Sequence, residues 1–135
     1  MDLLDLLDIG MQIVKALEIV HESGNTHNDL KLDNIMITDG KDQNVVLIDY
    51  GLVTQFLESD GNHLEKRVSE YFKGNYMFAS LDQLNTFSPS RRSDLNSLCY
   101  ILIYMVNGLK MPILDLTADG KNTPNQSYNV IKKFK

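Results

Sequence analysis

The sequence predicts a mainly α-helical domain of α+β type carrying one small β-hairpin. Three observations predict it. Residues 2–23 are apolar, interrupted by polar side chains only every three or four positions. A second apolar stretch, Leu95 to Val106, is closed by Asn107-Gly108. Between them lie two short apolar runs, Ile35-Met36-Ile37 and Val45-Val46-Leu47-Ile48, separated by the turn chemistry of Asp39-Gly40-Lys41-Asp42.

In the first helix, Asp2, Asp5, Asp8, Gln12, Lys15, Glu18 and Glu22 fall on one narrow stripe. The rest of the circumference is apolar, which predicts burial on several sides. The early aspartates suit the positive end of the helix dipole, and Gly24 suits its C-terminal cap. Residues 25–34 are polar and irregular. The second hairpin run is apolar at successive positions, which predicts cover on both faces. The hairpin is expected to bring Asn34 and Asp49 to the same side. Residues 52–92 lack periodicity, and 52–75 read as an extended surface segment. A loop this long is usually functional or disordered. Pro89 lies in a turn before Ser93-Asp94, the expected N-cap pair of a helix over about 93–107 at the centre of the core. Asp94 would sit in its first turn and would require hydrogen-bond partners. A polar loop over 117–126 and a short final helix over 127–134 complete the chain.

With 135 residues the chain is one domain's length, and 43% apolar with 23% charged residues is a globular composition. A net charge of -5 argues against nucleic acid as the main partner. Lys66, Arg67, Lys73, Arg91 and Arg92 read first as a solvated face. The single cysteine, Cys99, excludes an internal disulfide framework and fits a reducing compartment. Its apolar surroundings predict a packed thiol. Asp2, Asp5 and Asp8 are the opposite of a basic signal region. The longest apolar run, Leu98 to Val106, is about half the ~20 residues a membrane span requires. The expectation is a soluble intracellular protein, cytoplasmic or nuclear or both, with no membrane partner.

The chemistry concentrates in His27-Asn28-Asp29-Leu30-Lys31-Leu32-Asp33-Asn34 and in Asp49-Tyr50-Gly51. Phosphoryl transfer asks for an acceptor of the hydroxyl proton, a cation near the moving phosphate and oxygen ligands for magnesium. Asp29 suits the first role, Lys31 the second, Asn34 with Asp49 the third. Either motif alone is ordinary loop or turn chemistry. Their combination, flanking a hairpin and following a buried helix, is far more specific.

The stretch HNDLKLDN resembles the catalytic loop H-R-D-L-K-x-x-N of eukaryotic protein kinases, and DYG resembles their D-F-G. KGNYMFAS at 73–80 and SRRSDLNSLCYILIYMVNG at 90–108 are similar to the corresponding segments of the casein kinase I and vaccinia-related kinase group. The resemblance implies a serine/threonine protein kinase that moves the γ-phosphate of ATP to a protein hydroxyl. Asp29 and Lys31 would be catalytic. Asn34 and Asp49 would bind Mg2+ and, with Met36 beneath the adenine, the nucleotide. His27 and Tyr50 would join a column of stacked side chains anchored on Asp94. Arg91 and Arg92 would either meet an acidic or already phosphorylated substrate or serve as structural pairs; His21 and His63 read as surface residues.

Three departures from the family pattern stand out. Asn28 replaces the arginine that in many kinases grips an activation-loop phosphate. Asn75 stands where the family has a threonine bonded to the catalytic aspartate and lysine. No G-x-G-x-x-G and no V-A-I-K-like strand occurs. The expectation is therefore a partial kinase domain over 1–135, the central part of a C-terminal lobe without its N-terminal lobe. In it, 27–34 is the catalytic loop, 49–51 the DYG, about 49–82 the activation segment and about 93–107 the central helix. Such a piece, nearly inactive alone, would leave apolar surface uncovered, on the first helix especially, and self-associate. Two other readings stay open. One is a non-catalytic, kinase-derived binding module. The other is a small-molecule phosphotransferase of the choline or aminoglycoside kinase type, against which Lys31, Gly51 and the SRRSDL segment count.

Overall fold

The computed structural model describes residues 2–39, 43–111, 129 and 131–133. The first element, α1 (Leu3–Glu22), is closed at its start by a reciprocal cap. Asp5 N donates to Asp2 Oδ1 at 2.8 Å and Asp2 N donates to Asp5 Oδ2 at 3.1 Å, satisfying two otherwise orphaned amides. Beyond its C-terminus Gly24 takes φ +79°, the left-handed conformation that closes a helix without steric cost.

Strand β1 (Asn25–Thr26) follows at once, then a 3-10 turn at Leu32–Asn34, strands β2 (Ile35–Ile37) and β3 (Val45–Leu47), and β4 (Thr54–Gln55). The expected hairpin is present: β2 and β3 are antiparallel, with Ile35 opposite Leu47 and Ile37 opposite Val45. Gln12, from the polar stripe of α1, fixes it by accepting the Val45 N–H at 2.8 Å. Cover on both faces is not found. Leu47 is buried but Val46 is 42% exposed, because α1 lies on one side only.

A second two-stranded sheet, β1 with β4, was not legible in the irregular stretch after α1; Thr26 faces Thr54. It ties residues 52–75 to the body of the molecule. Phe56 is 2% exposed, its N–H donates to Gly24 O at 3.0 Å, and its carbonyl accepts from Leu64 at 2.8 Å. Val68 bridges Phe87 further on. The segment is thus extended but stitched down, not merely laid on the surface.

Helix α2 (Leu81–Leu84) is a single turn capped by Ser80 and Gln83. Helix α3 (Arg91–Val106) begins two residues before the expected Ser93. Ser90 is extended, and its N–H donates to Ser93 Oγ at 3.3 Å. Ser93 is therefore the third helical residue, and Asp94 keeps its carboxylate for partners elsewhere.

Helix α3 crosses α1 where Gly10 lets Leu102 approach; a Cβ there would lie 3.3 Å from the Leu102 side chain. The core gathers Ile13 and Leu17 of α1, Leu30, Leu47, Phe78, Leu84, and Leu98 with Ile101 of α3. Only one side of each long helix joins it. Leu4, Leu7 and Ile19 of α1 are 75%, 56% and 71% exposed, and Ile103 and Val106 of α3 are 52% and 62% exposed. Expectations of α1 buried on several sides and α3 enclosed at the centre are corrected accordingly. Cys99 is also exposed, since it sits one position, about 100° of helix rotation, from buried Leu98. The polar loop over 117–126 lies outside the described residues, as does most of the expected final helix; residues 131–133 are helical and Ile131 joins the core. Among the described residues no helix is long and apolar enough to cross a membrane.

Candidate active site

The site is built around Asp94, 1% exposed in the first turn of α3. Its Oδ2 accepts the His27 N–H and its Oδ1 the Asn28 N–H, both at 2.8 Å. The expected anchoring of the loop backbone on Asp94 is therefore present. The sequence reading missed a third partner. His21 Nε2 lies 2.9 Å from Asp94 Oδ2, and the ring is nearly covered rather than on the surface. A carboxylate withdrawn from water is tolerable only with such donors around it.

His27 carries the linkage onward. Its Nδ1 accepts from Asp29 N at 3.3 Å and its Nε2 faces Ile48 O at 3.2 Å. Those partners call for the neutral ring protonated on Nε2. Tyr50 packs against the same ring, centroids 5.1 Å apart. The expected contact of His27 with Tyr50 is present, but the ring planes are inclined by 54° rather than stacked.

Asp29 projects beyond this base. Lys31 Nζ lies 3.0 Å from Asp29 Oδ2. Asn75 Nδ2 donates to Asp29 Oδ1 at 3.2 Å and to Leu30 O at 2.9 Å. Asparagine thus makes the contact to the aspartate that threonine makes in the resembling family. Burial pushes the Asp29 carboxyl up, but the Lys31 ammonium and the amides of Asn75 and Asn34 outweigh it. The group is held below the usual carboxylate range. Its hydrogen bond to Asp29 raises Lys31 in turn. Ionised Asp29 can accept a proton or orient a hydroxyl.

Asn34 is 4% exposed. Its Nδ2 donates to Asp29 O at 2.8 Å and to Asp29 Oδ2 at 3.1 Å. Both N–H bonds are thereby used, which leaves the amide oxygen for a cation. The hairpin returns the chain beside it, Ile48 N donating to Asn34 O at 3.0 Å. Asp49 follows, exposed, with φ +62°; its Oδ1 accepts the Gly51 N–H at 3.2 Å. Asp29, Asp49 and Asp33 all act on the Lys31 charge. Among the described residues no cluster of three or more His, Cys, Asp or Glu side chains could hold a metal. The donor set is one amide oxygen and one carboxylate, which fits magnesium shared with a polyphosphate rather than a caged ion. Met36, two residues beyond Asn34 on β2, is 54% exposed.

Arg91 and Arg92 have partners within the chain. Arg92 pairs with Asp82, which also holds Lys66 at 2.8 Å, and the Arg91 guanidinium lies 5.0 Å over the Phe56 ring. His63 is exposed, as expected.

A buried aspartate holding the loop backbone, an ionised aspartate beside a lysine, and an asparagine ahead of the D-Y-G turn are groups that a phosphoryl-transfer site would use. The protein kinase domain family matches residues 4–133, and the chain belongs to it. Within that family it stands with the casein kinase I and vaccinia-related group. A probable casein kinase I homolog of Encephalitozoon cuniculi is 31% identical over 97 residues, which are 72% of this chain and 30% of that protein. The B1 kinase of Vaccinia virus is 32% identical over 103 residues, 75% of this chain and 34% of the relative. The B1 kinase of Variola virus is 30% identical over the same length. The chain thus spans about a third of the length of these relatives.

Proposed function

We propose that this chain is the central part of the C-terminal lobe of a casein-kinase-I-like serine/threonine protein kinase. The reaction is transfer of the ATP γ-phosphate to a protein hydroxyl. One observation carries the reading: the Asp29 carboxylate, kept ionised, sits 3.0 Å from the Lys31 ammonium and accepts from Asn34, whose carbonyl holds Ile48, the residue before Asp49. Asp29 would accept the hydroxyl proton, Lys31 would face the transferring phosphate, and Asn34 with Asp49 would hold Mg2+. Met36 would lie beneath the adenine. Magnesium would supply charge neutralisation on the phosphates. The internal partners of Arg91 and Arg92 favour structural pairing over capture of an acidic or phosphorylated substrate. An intracellular location remains part of the proposal.

The 135 residues contain no glycine-rich loop or strand lysine to grip the phosphates from the opposite side. Transfer by this chain alone is therefore expected near background. The test adds Mg·ATP and casein to the purified chain and to the longest product its gene encodes. Transfer is expected from the longer product, reduced by at least about a hundredfold in Asp29→Asn, since general-base catalysis is worth ~10²–10⁴. Robust casein phosphorylation by the 135 residues would contradict the first expectation. An active Asp29→Asn variant would contradict the second, and a longer product inert toward casein and other protein substrates would favour the binding-module reading.

A further inference from the structure

Two buried neutral amides, Gln83 and Asn28, tie the activation segment to the catalytic loop beside the bond from Asn75 to Asp29. Gln83 is 5% exposed and Asn28 4% exposed. Gln83 Nε2 donates to the Asn28 carbonyl at 2.8 Å, while its Oε1 accepts the Ser80 N–H at 2.9 Å. Asn28 Nδ2 donates to Leu52 O at 2.8 Å and to Thr26 O at 3.3 Å, reaching the segment just past Gly51. Asn28 has φ +68°, so its peptide is held in a conformation that surrounding bonds must define. Gly74 completes the contact. At φ +117° a Cβ there would lie 2.8 Å from the Asn28 carbonyl, so only glycine permits this approach.

The surroundings do not suit a phosphate at Asn28. A cavity of about 200 Å³ flanks this residue, and Lys73 is the one charged side chain lining it. Asn28 Oδ1 is a buried acceptor with no partner among the described residues. A dianionic group would meet that oxygen and a single ammonium. Charge-assisted pairing of a phosphate ordinarily uses guanidinium forks or several cations.

We propose that Gln83 is a positioning residue. Its amide fixes the Asn28–Asp29 peptide and so seats the activation segment and orients Asp29. This rests on the reading of Asp29 as the catalytic acceptor, and it deepens that reading by naming a residue that positions it. Gln83 sits outside both recognised motifs, on a one-turn helix 55 residues from its partner.

Two measurements on the 135-residue chain, shown by mass to carry no phosphate, test it. The first is the scalar coupling across the hydrogen bond between the Gln83 side-chain nitrogen and the Asn28 carbonyl carbon. The second compares amide exchange in the parent and in Gln83→Glu between about pH 5 and 9, a range that brackets a buried carboxyl. That substitution keeps the acceptor for Ser80 but donates to Asn28 only when protonated. The expected result is a visible coupling, and protection at Asn28, Asp29 and Leu30 that is pH-independent in the parent. In Gln83→Glu protection falls at least tenfold as the new carboxyl ionises and recovers on acidification, while α1 amides stay as in the parent. Absence of the coupling overturns the proposal, as does protection at 28–30 indistinguishable from the parent at every pH. If Gln83→Glu does not fold, the coupling alone decides. Neither measurement involves nucleotide or transfer, so a failure of the kinase reading is seen separately, in the casein assay.

Discussion

Asp94 holds three donors with one carboxylate, and two of them are the backbone amides of His27 and Asn28. Asp94→Asn presents an amide where those N–H groups point, leaving at least one without an acceptor. The expected cost is about 2–3 kcal/mol, the range for hydrogen bonds to a charged buried group. It should appear in denaturant unfolding together with faster exchange at His27 and Asn28. An Asp94→Asn chain as stable as the parent would remove Asp94 from the centre of the site. His21 shows what a linear reading misses at this scale. A lone histidine near a helix end is ordinarily a surface residue, and nothing local announces a partner 73 positions away. Asp94 itself was legible, because a carboxylate at the start of an apolar helix demands donors. The grouping of Asp29, Lys31 and Asn34 was legible because their spacing is local, as their bonds show. The sequence carries no comparable mark for Gln83.

Among the elements, the two long helices and the β2–β3 hairpin follow from periodicity and turn chemistry. The β1–β4 sheet does not, since two-residue strands leave no period to read. The segment between β4 and α3 is held by a charge cluster on α2. Burial pushes Asp82 up, yet its bonds to Lys66 and Arg92 outweigh this and hold its carboxyl below the usual carboxylate range. The folded value is thus below the unfolded one. The stabilisation is fully present above the ordinary carboxylate range and is lost as pH falls through the folded value. Asp82→Asn should therefore lower stability near neutral pH and flatten its acid dependence between about pH 5 and 3. Denaturation midpoints across that range check it; two parallel curves would show that Lys66 and Arg92 gain nothing from Asp82.

At the scale of the whole molecule, apolar exposure is concentrated. Leu3, Leu4, Leu7 and Met11 are 64%, 75%, 56% and 60% exposed along one end of α1. Uncovered surface of this kind drives association. The purified chain should elute as an oligomer at micromolar concentration, and Leu4→Gln with Leu7→Gln should shift it toward monomer without lowering its thermal midpoint. A monodisperse parent monomer would contradict this. The pattern explains why burial was overestimated from sequence: an apolar helix surface records what the helix can cover, not what lies against it in 135 residues.

We propose that Asn34 and Asp49 form an oxygen site for a divalent cation beside an ionised Asp29. Mn2+ takes the same hard oxygen ligands as magnesium and broadens nearby resonances. The account predicts that Mn2+ added with a non-hydrolysable ATP analogue broadens Asn34 and Asp49 first, that excess Mg2+ reverses it, and that Asp49→Asn abolishes it. Uniform broadening across the surface acidic residues, unchanged in Asp49→Asn, would contradict it.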